Sequence, residues 1–195
     1  MQRFFFTISQ SLKARRQIKD CLIRSSVCEL DLSALQQQAI TTLVLDFDGV
    51  LNSHGENYVH SELCPWLINC IKLFKVYILS NKPTAERQEY FARTFPQINF
   101  ITSAKKKPYI DGILQISKLS GSIGQHIMIV DDRLLTGVLA GCLANIKVCF
   151  IQAPLVNFNK RPIKELFFLF LRFIERIYLG FKLNDVCGYR KLHKM

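Results

Sequence analysis

Long apolar runs, paired cysteine motifs and internal repeats are all missing from this 195-residue sequence. No window reaches about 18 apolar residues without a charge, so the sequence does not predict a polytopic membrane protein. The seven cysteines are odd in number and include no Cys-x-x-Cys pair, which disfavours a disulfide framework or a zinc site and favours reduced thiols. Hydrophobic residues make up 49% of the chain, a globular fraction that excludes disordered and low-complexity classes.

Acidic residues are also scarce: 15 Asp and Glu stand against 26 Lys and Arg, for a net charge of +11. Residues 1–30 hold six basic and two acidic residues, and residues 155–195 hold nine and three. The residues between these two segments are nearly neutral. This distribution indicates a core whose cationic ends meet something anionic, although charges that serve only solubility are the simpler alternative.

The middle of the chain alternates short apolar runs with helical patterns. Strands are predicted at residues 42–47, 76–79, 98–101, 126–130 and 148–151, and helices at residues 62–74, 83–94, 108–121 and 134–145. This alternation is typical of βαβ units, so we expect an α/β fold of three layers, Rossmann-like, with a five-stranded parallel sheet. The expected organisation is a basic N-terminal extension over 1–40, this domain over 41–155, and a basic helix and tail over 156–195.

Unusual polar residues follow these strands. Asp46 and Asp48 follow the first strand, Ser80 and Asn81 the second, Lys105, Lys106 and Lys107 the third, and Asp131 and Asp132 the fourth. Ligands of parallel α/β sheets bind beyond the carboxyl ends of the strands. Four carboxylates converging there repel one another unless a cation lies among them, and oxygen ligands favour a hard ion such as Mg²⁺.

These segments resemble the motifs of haloacid-dehalogenase (HAD) superfamily phosphatases over residues 42–151. Asp46-Phe47-Asp48-Gly49-Val50 matches the first motif, D-x-D-x-[TV], Ile78-Leu79-Ser80-Asn81 the second, Lys107-Pro108 the third, and Val130-Asp131-Asp132 the fourth. Only 34 residues separate Asp46 from Ser80, and 27 separate Ser80 from Lys107. Because neither interval has room for an inserted cap domain, we expect a cap-less enzyme with an open site.

Within the cap-less enzymes, the sequence is most similar to the YqeG-like group of subclass IIIA, which includes phosphatases of phosphatidylglycerophosphate. The similarity includes Leu30-Asp31-Leu32, the segment LCPWL at 63–67, and Asp132-Arg133-Leu134-Leu135-Thr136 followed by Gly141. One position departs from the group's pattern of Gly-Asp with a second Asp five residues later. This chain has Asp131-Asp132 and then Gly137, so Asp131 is expected to replace the missing carboxylate.

The resemblance implies a role for each motif residue. Asp46 is expected to attack phosphorus and form an aspartyl phosphate. Asp48 is expected to protonate the leaving alkoxide and then activate water. The expected Mg²⁺ ligands are Asp46, the backbone carbonyl of Asp48, Asp131 and Asp132. Ser80, Asn81 and Lys107 are expected to bind the phosphoryl oxygens, with Lys106 as the second candidate for the lysine.

Other interpretations of the same residues remain open. Asp48-Gly49 alone also suits a hairpin turn, but an EF-hand is excluded because Asn57 takes the place of its terminal Glu. An inactive HAD-fold scaffold is the main non-enzymatic alternative. Nucleic-acid binding is disfavoured by the lack of a recognition motif, although nucleic-acid ends, nucleotides and sugar phosphates remain alternative substrates. The four histidines show no ligand spacing and are interpreted as structural.

Both ends of the chain suit an anionic surface. The basic stretch over residues 1–25 is interpreted as a membrane-facing helix, with an organellar transit peptide as the alternative. A helix is predicted over 162–183, with its charges in one arc and many phenylalanines outside it. We consider three partners for its apolar side: the domain itself, another protein and a membrane interface with the basic arc toward lipid phosphates. The expectation is therefore a cytoplasmic enzyme, peripheral to the inner face of a membrane or on the mitochondrial matrix side, acting on phosphatidylglycerophosphate.

Overall fold

A parallel sheet of six strands forms the centre of the protein in the computed structural model, which describes residues 2–81, 83–103, 105–181 and 190–191. Its strands are β1 (Leu22–Arg24), β2 (Thr42–Leu45), β3 (Lys75–Leu79), β4 (Asn99–Ile101), β5 (Ile127–Asp131) and β6 (Lys147–Ile151), in the order β1-β6-β5-β2-β3-β4. A separate two-stranded pair joins β7 (Leu155–Val156) to β8 (Arg190–Lys191).

The expected number of five strands is wrong, because the segment assigned to the N-terminal extension supplies a sixth. Leu22, Ile23 and Arg24 pair in parallel with Cys149, Phe150 and Ile151 of β6. Three half-buried residues on the edge of a sheet carry no alternating pattern that a sequence can reveal. The edge of the sheet is thus built from residues that precede the motifs.

Helices cover both faces of this sheet. They are α1 (Gln2–Lys13), α2 (Arg15–Lys19), α3 (Leu32–Gln37), α4 (Cys64–Leu73), α5 (Ala85–Thr94), α6 (Asp111–Ser120), α7 (Leu139–Leu143) and α8 (Pro162–Leu179). A 3₁₀ turn, Ser61–Leu63, leads into α4, and a π-helical turn, Leu134–Val138, leads into α7.

The apolar core has two parts, one on each face of the sheet. Leu43 and Leu45 of β2 pack in the cluster that includes α3, α4 and α5, whereas Val44 packs in the cluster that includes α2, α6 and α7. This alternation follows from the period of two along a strand. The three-layer α/β prediction is therefore confirmed.

Helix α8 packs on the domain through its charged side. Glu165, Arg172, Glu175 and Arg176 are buried, while large apolar residues along the same helix are exposed. The expectation that its basic arc faces lipid phosphates is therefore wrong, since Arg172 and Arg176 have partners inside the domain. The helix ends at Gly180, whose φ of 74° is typical of a glycine C-cap, and residue 182 lies outside the described residues.

Within residues 2–81, 83–103 and 105–181, none of the helices has the length and apolarity needed to cross a membrane.

Candidate active site

The predicted site residues converge at the carboxyl ends of β2, β3 and β5. In the sheet, β3 and β4 lie on one side of β2, and β5 and β6 lie on its other side. This is the topological switch point of the sheet, where parallel α/β proteins bind their ligands. A cleft of about 240 Å³ opens there, and Asp46, Asp48, Asn81, Lys107 and Asp132 line it.

A larger cavity of about 700 Å³ lies elsewhere, between β1, α3 and the start of β6. Its lining contains Asp20 and Asp31, but Asp31 caps α3 by accepting hydrogen bonds from the backbone of Ser33 and Ala34. The cleft at the carboxyl edge is the better candidate site, because its charged groups converge on one another.

Lys107 connects the first and fourth motifs. Its Nζ donates to Asp46 Oδ1 at 2.8 Å and to Asp131 Oδ2 at 2.5 Å. The lysine is 3% exposed and Asp131 is fully buried. Burial by itself lowers the pKa of Lys107, but Asp131 and Asp46 outweigh it and raise that pKa above the usual value. The ammonium therefore stays charged and holds the two carboxylates together.

Asp46 lies directly after β2 and is buried beside three other acids. Burial is the main cause that raises its pKa to about 8, and Asp131, Asp132 and Asp48 add to the effect, while Lys107 opposes it. Positive charge beyond that of Lys107 would lower this pKa and favour the ionised carboxylate.

The residues at this position fit a divalent cation. One carboxylate oxygen each from Asp46, Asp131 and Asp132 lie within 4.8 Å of one another. Arg172 of α8 donates from Nε to Asp132 Oδ2 at 2.6 Å, but Asp132 Oδ1 is buried and has no hydrogen-bond partner in the described structure. Three buried carboxylates thus have two cations as direct partners, Lys107 and Arg172, and one unpaired oxygen points to a ligand.

Gly137 explains how Asp131 enters this cluster. A Cβ atom on Gly137 would lie 1.8 Å from Asp131 Oδ2, so no other residue fits there while Asp131 keeps its position. The carboxylate of Asp131 therefore fills the space in which a side chain at position 137 would begin. Asp132 is accommodated in a similar way, because a Cβ on Gly49 would lie 2.4 Å from Asp132 Oδ2.

Asp48 is held apart from the three clustered carboxylates by an arginine that the sequence analysis missed. Arg87 of α5 is 2% exposed, donates to Asp48 Oδ1 at 3.0 Å and Oδ2 at 3.3 Å, and also donates to the Glu56 carbonyl at 2.7 Å. Its guanidinium lies 3.8 Å from the ring centroid of Phe47. A single arginine in the first turn of a polar helix gives no sequence signal for this role.

The second-motif residues Ser80 and Asn81 form hydrogen bonds with other residues at this edge of the sheet. Ser80 is buried at the end of β3 and accepts a hydrogen bond from Arg87 at 3.4 Å. Asn81 accepts from the Lys107 backbone N–H at 2.8 Å and donates to the Lys107 carbonyl at 3.4 Å. Asn81 thus positions the backbone of the bridging lysine, and its predicted contact with phosphate remains a prediction.

Several residues of the cleft were not among the predicted site residues. Arg3 and Arg133 bring two further cations to its lining, where Lys106, the second candidate for the phosphate-binding lysine, also lies. His54 also lines the cleft, where its ring stacks on Phe168 of α8 at a centroid distance of 3.9 Å. The histidine spacing gave no indication of this position, because the contact depends on a helix more than a hundred residues away.

Comparison with known proteins shows a likeness in fold. No protein-family model and no curated protein matches the chain. An uncharacterized protein from Listeria monocytogenes serotype 4b is similar at a TM-score of 0.50 and 14% identity, over 58% of this chain and 79% of that one. A haloacid dehalogenase-like hydrolase from Streptococcus pneumoniae is similar at a TM-score of 0.46 and 12% identity, over 56% of this chain and 83% of that one. The N-terminal part of a Bacteroides fragilis protein, which contains a phosphatase domain and is complexed with Mg, is similar at a TM-score of 0.43 and 16% identity. The match covers 60% of this chain and 38% of that one.

Proposed function

We propose that this protein is a HAD-type, Mg²⁺-dependent phosphomonoesterase. The observation that carries the proposal is the buried bridge from Lys107 to Asp46 and Asp131, beside the unpaired oxygen of Asp132. This arrangement supplies a carboxylate nucleophile, a fixed cation and the ligands for a divalent ion at the switch point of the sheet. Such a combination suits the transfer of a phosphoryl group.

In the proposed mechanism, a carboxylate oxygen of Asp46 attacks phosphorus as the bond from phosphorus to the ester oxygen breaks. Lys107 holds Asp46 Oδ1, which leaves the second carboxylate oxygen outside that ion pair. Asp48, oriented by Arg87, acts in its protonated form and gives its proton to the leaving alkoxide. Asp48 then takes a proton from the water that hydrolyses the aspartyl phosphate, releasing inorganic phosphate and regenerating Asp46.

Asp46, the Asp48 carbonyl, Asp131 and Asp132 would hold Mg²⁺, which reduces repulsion between the nucleophile and the phosphate. Lys107 and Ser80 lie beside the carboxylates at the same edge of the sheet, where they suit the remaining phosphoryl oxygens.

The substrate proposed here is a phosphorylated lipid head group such as that of phosphatidylglycerophosphate. Arg3, Lys106 and Arg133 line the cleft beside Asp46, which favours a substrate with a second anionic group. The intervals from Asp46 to Ser80 and on to Lys107 hold α4, β3, α5 and β4, which supports an uncapped site. Such a site suits a substrate presented at a surface.

A substrate screen tests this assignment. We expect purified protein with Mg²⁺ to release phosphate faster from phosphatidylglycerophosphate vesicles than from sugar phosphates, nucleotides or 3′-phosphorylated DNA. Removal of Mg²⁺ with a chelator is expected to abolish release, with recovery when the ion is returned. Faster hydrolysis of any soluble class would reject the lipid substrate but leave the phosphatase. No hydrolysis of any class would favour the inactive scaffold.

The role of Asp48 can be separated from that of Asp46 by the choice of leaving group. We expect Asp48→Asn to slow hydrolysis of an alkyl phosphate by about a hundredfold, within the range for general acid catalysis. The loss with p-nitrophenyl phosphate is expected to be much smaller, because p-nitrophenolate leaves without a proton. Initial rates for both substrates at saturating Mg²⁺ measure the difference, and equal losses would argue against Asp48 as the acid.

A further inference from the structure

Helix α8 carries an apolar surface that faces solvent. Seven large apolar residues of the helix are 40–83% exposed: Ile163, Leu166, Phe167, Phe170, Phe173, Ile174 and Ile177. They recur at intervals of one, three and four residues, which places them along one side of an α-helix. We call this set the α8 outer face. Monomeric proteins in water rarely expose so continuous an apolar surface.

The opposite side of α8 fixes the helix in this orientation. Arg172 pairs with Asp132, and Glu175 accepts from Arg133 Nε at 2.9 Å and from the Leu134 backbone N–H at 3.0 Å. These groups are largely buried, so rotation of the helix would leave several charges without partners in the interior. The helix therefore cannot turn its outer face inward without losing these partners, and the described residues leave that face exposed.

The charges around the α8 outer face indicate what covers it. Arg161 and Lys164 are exposed at the start of α8, next to Lys160, whose Nζ pairs with Glu56 at 3.1 Å. At its other end, Arg15 donates to the Leu179 carbonyl at 3.1 Å. Both acidic residues of the helix, Glu165 and Glu175, are buried, so the outer face itself has an apolar centre and basic ends without exposed acids.

An anionic bilayer matches both properties. An interfacial helix buries its apolar side at the level of the acyl chains, and each basic residue near an anionic leaflet adds attraction. A second copy of the chain fits less well, since face-to-face contact would bring the basic ends of both helices together. Phe168 of the same helix lines the catalytic cleft, so a bilayer on this face lies beside the site.

We propose that the α8 outer face is the surface by which the protein docks on an anionic lipid bilayer. Binding to the bilayer stands independently of catalysis. The further statement, that docking presents a lipid phosphate to the cleft, rests on the proposed function.

Vesicle flotation tests the docking surface directly. We expect the full chain to float with phosphatidylcholine vesicles that contain about 30% phosphatidylglycerol, and much less with phosphatidylcholine alone or at high salt. Phe167→Ser combined with Phe170→Ser is expected to reduce the bound fraction at least about tenfold, because it removes two aromatic side chains from the buried area. Ile163→Ser with Leu166→Ser is a second pair, which also serves if the first fails to fold.

The matched control is Leu119→Ser with Ile123→Ser, at residues that are 61% and 71% exposed and lie outside α8. This control is expected to float as the parent does. Circular dichroism reports whether each variant is folded, and hydrolysis of p-nitrophenyl phosphate, a soluble substrate, reports whether it is active.

Each outcome separates the two proposals. Failure of the parent to bind anionic vesicles, or equal losses in the control and α8 variants, would overturn the docking surface and leave the phosphatase unaffected. A parent dimer in sedimentation that the phenylalanine pair converts to a monomer, without a change in vesicle binding, would assign the face to a second copy. Vesicle binding without hydrolysis of any phosphate would keep the docking surface and reject the proposed activity.

Discussion

Asp46→Asn is expected to reduce Mg²⁺-dependent hydrolysis of p-nitrophenyl phosphate by about three orders of magnitude or more. An amide oxygen is a poor nucleophile, so the variant loses the group that is proposed to form the covalent intermediate. Lys107 also loses one of its two carboxylate partners, at a distance of 2.8 Å in the parent. Steady-state rates with a soluble substrate measure this loss without any dependence on membrane binding.

Two controls accompany this substitution. Asp20→Asn changes the same residue type at an exposed position outside the site, and its rate is expected to equal that of the parent. Thermal unfolding followed by circular dichroism shows whether the Asp46 variant is folded. A folded Asp46→Asn protein that keeps a rate near the parental one would eliminate Asp46 as the nucleophile.

The central part of the fold was predictable because its signals are local. Continuous apolar runs mark β2 and β5, which are covered by helices on both faces. Since parallel strands end at a common edge, the polar residues that follow them were expected to meet, and Asp46, Lys107 and Asp131 do so. The edge strand β1 lacks such a signal, since its three residues are half-buried.

The orientation of α8 shows what a local pattern leaves undetermined. Periodicity separates a charged side of the helix from an apolar side, but it does not say which side packs on the domain. That choice depends on Asp132 and Arg133, which lie about forty residues earlier and offer charged partners to Arg172 and Glu175. Arg87 was missed for the same reason, because its partner Asp48 is distant in sequence.

Position 131 offers the sharpest test of how the carboxylate cluster is built. Asp131 fills space that a side chain at position 137 would need, since a Cβ there would lie 1.8 Å from Asp131 Oδ2. We expect Asp131→Gly and Gly137→Asp each to lower kcat/KM by about a hundredfold or more. The first removes a carboxylate from Lys107 and from the proposed metal site, and the second forces Asp131 out of position.

The double variant, Asp131→Gly with Gly137→Asp, is expected to recover at least about tenfold over either single variant, because the second aspartate restores a carboxylate to the emptied space. Such recovery is a coupling between neighbouring positions, which independent effects do not produce. Asp131→Gly with Gly137→Ala is the matched control, since a methyl group enters the same space without charge. Rates measured over a Mg²⁺ titration should show a lower Mg²⁺ requirement for the aspartate pair than for the alanine pair. Two results would contradict this interpretation: losses that simply add in the double variant, or equal recovery by the alanine pair. Either would show that Lys107 and the proposed metal site do not require a carboxylate at this position.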